Sequence, residues 1–199
     1  MKCLMCGKDF DESGSLKEVI FEEDLLCEAC RSGWVENKRN DKIGKYKMKS
    51  SWIYNEAFKT CLIQYKEAGD EALKDIFLYP VKRDVKKYLK GYTLLLMPST
   101  KEKLEQRGFS HLKYMFSCLK LPMLDPFVTE QNQKGKSLEE RKAIGKSMFL
   151  KENIQLPYKI ALVDDVYTTG STIQGALNCI DEKKHKIKIY TVARVPILE

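Results

Sequence analysis

Two kinds of hydrophobic pattern alternate along the chain. The stretches 93–97 (TLLLM) and 160–163 (IALV) are unbroken apolar runs. Such runs suit strands covered on both faces, as in a parallel sheet between helices. The stretch 52–66 differs: Tyr54, Phe58, Leu62 and Tyr65 fall at i, i+4, i+8 and i+11, an apolar stripe that predicts a helix. Residues 111–121 read as a second amphipathic helix, stopped by Pro122. Around Pro80, residues 75–90 read as two short helical pieces. Short strands are expected over 124–128 and 186–195. Residues 133–137 have the composition of a mobile loop, and Ser137 with Glu140 forms a capping box that opens a helix. Strands alternating with helices give an α/β fold: a parallel sheet flanked by helices.

The polar residues that follow the run 160–163 carry the chemistry. The sequence there is KIALVDDVYTTGST, from Lys159 to Thr172. Two acids, Asp164 and Asp165, are expected where the strand ends, at the carboxyl edge where open α/β sheets bind ligands. The loop Thr168, Thr169, Gly170, Ser171 and Thr172 offers hydroxyls, a glycine for close backbone approach, and the start of a helix expected over 172–180. Together these suit a phosphate. The carboxylates could accept hydrogen bonds from a sugar diol or hold Mg²⁺ shared with a phosphorylated ligand.

The first thirty residues point elsewhere. Cys3 and Cys6, then Cys27 and Cys30, form two C-x-x-C pairs separated by 20 residues. This spacing fits a tetrahedral zinc site made of four cysteines, with a small hairpin between the pairs in which Gly14 marks a turn and 16–21 alternates as a strand would. So short a segment has little core of its own, and zinc would supply the missing stability. Three units are therefore expected: a zinc-binding module over 1–33, a basic linker or hairpin over 34–50, and the α/β domain over 51–199.

Charge adds a candidate partner. The chain of 199 residues carries a net charge of +7. Residues 35–50 hold Lys38, Arg39, Lys42, Lys45, Lys47 and Lys49 against two acids, with Tyr46 among them. Basic residues interleaved with aromatics can follow a single strand of nucleic acid. A solvated linker or an edge hairpin is the simpler reading of the same residues. No apolar run is long enough to span a membrane and no signal segment opens the chain, so a cytoplasmic protein is expected. Cys61, Cys118 and Cys179 lie on apolar stripes and read as core, and His111 and His185 have no sequence neighbours that assign them a role.

The apolar strand, paired acids and T-T-G-x-T resemble the phosphoribosyl pyrophosphate (PRPP) motif of the type I phosphoribosyltransferases. That resemblance implies that Asp164 and Asp165 bind the ribose hydroxyls and that 168–172 wrap the 5′-phosphate. It also implies that the loop after 93–97, with Ser99, Thr100, Lys101 and Arg107, approaches the pyrophosphate. The order of features is more specific: a four-cysteine module, Arg107-Gly108-Phe109, Thr129-Glu130-Gln131, Arg141, then VDDVYTTGST and Ala193-Arg194. Over essentially its whole length the chain resembles the ComF family, ComFC type, of late-competence proteins. This implies a role in natural transformation, with DNA uptake at a membrane channel, single-stranded DNA as ligand, and a ComFA-type helicase-like ATPase as partner. Whether the PRPP site also catalyses transfer to a nitrogenous acceptor stays open, because no acceptor loop or nucleophile is identifiable.

Overall fold

The computed structural model describes residues 1–10, 24–129 and 148–196. The turn at Gly14 and the strand expected at 16–21, the loop 133–137, the Ser137 capping box and Arg141 lie outside the described residues. The elements in order are α1 (Glu28–Arg31), β1 (Asn40–Ile43), β2 (Tyr46–Ile53), α2 (Glu56–Glu67), α3 (Lys82–Leu89), β3 (Thr93–Leu96), α4 (Lys101–Arg107), α5 (His111–Phe116), β4 (Met123–Leu124), β5 (Phe127–Thr129), β6 (Met148–Leu150), β7 (Lys159–Tyr167), α6 (Ser171–Asn178) and β8 (Lys186–Arg194). Short 3₁₀ turns occupy Glu71–Asp75, Tyr79–Val81 and Ser117–Leu119.

Six strands form one sheet in the order β1-β2-β8-β7-β3-β4. Its neighbours are parallel apart from the antiparallel β1–β2 hairpin. The expected α/β architecture is therefore present, with the run 160–163 at its centre between β3 and β8. Leu94, Leu95, Ile160, Ala161, Leu162 and Val163 are fully buried, as unbroken apolar strands in a covered sheet must be.

At three points the structure is more specific than the sequence pattern, each for a local reason. First, β7 does not stop at Val163. Its ladder with β8 continues to the Tyr167–Arg194 pair, which places both acids inside the strand. Second, Trp52 is not helical. β2 pairs with β8 as far as Ile53 and Arg194, and the helix starts after Asn55, whose side chain caps it by accepting from Phe58 N at 3.0 Å. Third, the basic stretch 35–50 is a hairpin whose second strand is a member of the sheet. Among the described residues no helix is long and apolar enough to cross a membrane.

The amino-terminal residues share the main core. Cys3, Leu26 and Trp34 belong to the same hydrophobic cluster as the buried strands. Trp34 packs edge-on against Trp52, with ring centroids 5.2 Å apart, and lies 4.6 Å from Phe58. Close approach is built in at Gly33, where a Cβ would stand 2.8 Å from that of Ala57. The Trp52 indole N–H donates to the carbonyl of Phe77 at 2.8 Å.

Candidate functional site

The four cysteines converge. Every Sγ of Cys3, Cys6, Cys27 and Cys30 lies within 4.8 Å of the others. Cys6 and Cys27 are 3.8 Å apart, and a tetrahedral tetrathiolate with metal–sulfur bonds of about 2.3 Å requires about that separation. Two tight turns present the thiols. Gly7 N donates to Cys3 O at 2.9 Å, and Cys30 N to Cys27 O at 3.0 Å. Leu4 N, donating to Leu25 O at 3.0 Å, holds the turns together. The site can bind one metal ion, and its ligand set suits zinc. Arg31, at the end of α1, grips Asp24 through Nε at 2.5 Å and a second nitrogen at 2.6 Å. It also donates to Ile76 O at 3.0 Å and stacks over Trp34 at 4.2 Å. The thiolate turns are thereby fastened to the α/β core.

At the carboxyl edge of the sheet the paired acids part company. Successive strand residues point to opposite faces, and the two carboxylates meet different surroundings. Asp165 is buried. Its Oδ2 receives Lys66 Nζ from α2 at 2.5 Å and His111 Nε2 from α5 at 3.1 Å. Its Oδ1 accepts from Val166 N at 2.6 Å. Burial works against its ionisation, but the Lys66 ammonium and the His111 N–H outweigh that and hold its carboxyl well below the usual range. Asp164 is partly exposed and accepts from Asp165 N at 2.9 Å through one oxygen. Burial, with the Asp165 charge beside it, pushes its carboxyl well above the ordinary value.

His111 extends this network. Burial lowers its pKa, so the imidazole is neutral near pH 7. With Nε2–H donated to Asp165, Nδ1 is left as the acceptor, and it faces Arg107 at 3.4 Å and Ser99 Oγ at 3.5 Å. Arg107 also bonds Glu67 at 2.7 Å, and its side chain is only 3% exposed. Its guanidinium is turned inward, whereas the sequence resemblance places it at the pyrophosphate mouth. Thr100 caps α4 by accepting from Lys103 N at 3.4 Å, and Lys101 pairs with Glu105 at 3.5 Å. Lys66 and His111 escape a sequence reading because the contacts that matter lie 99 and 54 positions away along the chain.

The loop 168–172 follows the end of β7. Thr168, Thr169, Ser171 and Thr172 are exposed. Gly170 adopts φ +77°, and a Cβ there would meet the Tyr167 hydroxyl at 2.5 Å. α6 begins at Ser171, its N-cap Gly170 supplying no side-chain bond, and Ser171 N donates to Thr169 Oγ1 at 3.5 Å; a helix start of this kind can receive an anion. A cleft of about 270 Å³ runs from Tyr167 and Thr168 to Asp41, Lys42 and Met48 of the hairpin, with Arg194 in its wall. Arg194 is ion-paired with Asp41. Of the basic hairpin residues, Lys45 pairs with Glu182 at 2.8 Å, and the same carboxylate accepts from the Tyr46 hydroxyl. Lys38, Arg39, Lys42 and Lys47 are exposed, while Lys49 is half-buried and lies 5.9 Å from the Tyr88 ring.

No protein-family model matches the chain. It is similar to two curated proteins named competence protein ComFC. The Streptococcus pneumoniae protein is 25% identical over 221 residues, covering 98% of this chain and all of the relative. The Bacillus subtilis protein is 24% identical over 213 residues, covering 91% of this chain and 89% of the relative.

Proposed function

Because the chain belongs to the ComFC family of competence proteins, we propose that it is a cytoplasmic factor of natural transformation that assists import of single-stranded DNA with a helicase-like ATPase. The observation that carries this reading is the match to two ComFC proteins over 98% and 91% of this chain. Zinc at Cys3, Cys6, Cys27 and Cys30 fastens the amino-terminal turns to the core. The site at the carboxyl edge binds a phosphorylated sugar of the PRPP type. Thr168 to Thr172 and the first turn of α6 take the 5′-phosphate. Asp164 meets the ribose hydroxyls, and Asp165 is kept by Lys66 and His111 as the fixed support of that edge. Ser99, Thr100, Lys101 and Arg107 flank the pyrophosphate side, Arg107 after release from Glu67. Mg²⁺ arriving with PRPP would neutralise the diphosphate, and a cation near Asp164 would favour its ionised form.

The partly exposed Asp164 beside the exposed loop 168–172 favours a second reading, an active phosphoribosyltransferase. A nitrogen nucleophile of the acceptor would form the bond to the anomeric carbon as the bond to pyrophosphate breaks and pyrophosphate leaves. Positioning and charge stabilisation would be the protein's contribution. Calorimetric titration of Mg²⁺·PRPP into the zinc-loaded protein, with Asp164→Asn beside it, tests the site. Binding by the parent that the variant loses is expected. Binding by neither leaves the core as a scaffold, and equal binding by both removes Asp164 from the site.

A further inference from the structure

The opposite edge of the sheet, where the strands begin, carries a charged feature that the carboxyl-edge site does not use. Lys159 opens β7 directly beside Lys186, which opens β8. Two residues further, Lys188 lies beside Ala161. Lys47 of β2 sits one step before the Met48–Ile189 pair, which sets it beside Lys188. Residues two apart on a strand share a face, so these four lysines occupy one face of three adjacent strands. Like charges directly opposed across strands destabilise a sheet. Among the described residues no carboxylate pairs with Lys47, Lys159 or Lys186, and all three are exposed. Lys188 is held beneath them, donating to Tyr88 O at 2.6 Å and lying 4.6 Å from the Tyr88 ring. Burial first, and then the charges of Lys186, Lys47 and Lys159, make its protonated form less favourable. The arrangement is one that an anion would relieve.

An aromatic ring stands at the same edge. Tyr158 is 65% exposed, and its carbonyl accepts from Lys186 N at 2.7 Å. A solvent-facing ring at the same sheet edge as the lysines adds base stacking to their phosphate neutralisation, and only unpaired bases can stack on it. The nine residues of β7 separate this edge from the phosphate loop, a distance of about 26 Å for a strand of that length.

We propose that Lys47, Lys159, Lys186 and Tyr158 form a docking surface for single-stranded nucleic acid at the amino edge of the sheet, separate from the phosphate loop. The proposal rests on the nucleic-acid part of the function above and assigns it a place. Of the hairpin residues expected to touch DNA, Lys47 belongs to this row, whereas Lys45 and Tyr46 are engaged with Glu182.

The test is fluorescence-anisotropy titration of the full-length, zinc-loaded protein with a labelled oligothymidylate at several salt concentrations. The parent is compared with Lys159→Glu/Lys186→Glu, Tyr158→Ala, and Lys38→Glu/Lys42→Glu. The double reversal exchanges one like-charged pair for another while setting both new carboxylates near Lys188, so the melting temperature of the first variant should stay close to the parent's. It is expected to bind at least about tenfold more weakly and to flatten the log–log salt dependence by about 1.4, two single-strand phosphate contacts. Tyr158→Ala should lose about tenfold, and the Lys38/Lys42 variant should lose less than the Lys159/Lys186 one. A parent that binds while the Lys159/Lys186 and Tyr158 variants bind equally well overturns this surface and leaves the family role standing. A parent that does not bind overturns both. If the lysine reversal weakens binding to duplex DNA or to anionic phospholipid vesicles as much as to the oligonucleotide, and Tyr158→Ala changes nothing, the row is a general polyanion surface and the single-strand assignment falls.

Discussion

Lys66 Nζ stands 2.5 Å from Asp165 Oδ2, joining the end of α2 to the middle strand of the sheet across 99 positions of sequence. Both side chains are largely buried, and His111 completes the site from a third element. Removing one partner of a buried ion pair leaves the other charge uncompensated, at a cost of about 3–5 kcal/mol. Lys66→Met should therefore destabilise the protein by that order in urea unfolding. Combining it with Asp165→Asn should cost clearly less than the sum of the two single changes. Additive losses would show that the pair is not coupled.

Asp164 should behave in the opposite way. Its carboxylate is disfavoured by burial and by the neighbouring Asp165 charge, so at neutral pH the native fold carries a cost there. Asp164→Asn removes that cost. A gain of about 1 kcal/mol would raise the melting temperature by about 2–4 °C for a chain of this size, while PRPP binding is lost. Stability gained together with binding lost is the signature of a functional group kept in an unfavourable place. A lower melting temperature in the variant would instead make Asp164 a structural residue.

The pH dependence separates His111 from the acids. Burial lowers its pKa below the ordinary 6.5, and Lys66 and Arg107 add to the effect against the pull of Asp165. Below that ordinary value the unfolded chain takes up a proton that the folded imidazole resists. The His111 contribution is thus complete above 6.5 and declines as pH falls toward the folded value. Asp164, with its pKa raised, contributes in the other direction over acidic pH. Asp165, with its pKa depressed, keeps its full contribution until pH approaches 3.8. Comparing the parent with His111→Gln between about pH 7 and pH 5 isolates the imidazole. The parent should lose stability relative to the variant as pH drops, and parallel urea midpoints would show that His111 does not titrate.

The chain discloses its folding pattern more readily than its network of charges. The runs 93–97 and 160–163 are strands because unbroken apolar sequence has only a covered sheet to occupy, and the cysteine spacing reads directly as two turns facing each other. Trp52 is harder to place. It fits the periodicity of α2, but the β8 ladder and the Asn55 cap take the residues before Glu56 out of the helix. The partners of Asp165 are not legible in local pattern at all. Lys66 looks like an ordinary basic residue in a last helical turn, and His111 like the first residue of a short helix. Only the packing of α2 and α5 over the end of β7 brings them to one oxygen. Arg107 shows the same limit, since its place near the mouth is legible but its inward turn toward Glu67 is not.

Metal removal should be felt well beyond the cysteines. Arg31 follows Cys30 directly and links Asp24, Ile76 and Trp34. Losing the metal frees the turn that orients it. Chelation is expected to release one zinc per chain, to reduce the near-ultraviolet circular dichroism of Trp34 and Trp52, and to lower the unfolding temperature, with all three changes reversed on readdition. An apo protein that keeps its tryptophan signal would show that the module is fastened by packing alone.

Gly170 offers the sharpest test of the loop. Its φ of +77° is a left-handed conformation that side-chain-bearing residues rarely adopt, and a Cβ would come within 2.5 Å of the Tyr167 hydroxyl and 2.7 Å of its ring. Gly170→Ala must both strain the backbone and displace Tyr167, the last residue of β7. Strain of this kind costs about 1–2 kcal/mol, a small loss for the fold. The loss for the ligand should be larger, because the amides of the loop and of the first turn of α6 would no longer converge on one phosphate. PRPP affinity is expected to fall by at least about tenfold, with the melting temperature lowered by only about 2–8 °C. Calorimetry and thermal unfolding on the same sample measure both. If Gly170→Ala bound PRPP as tightly as the parent, the loop 168–172 would not be the phosphate site.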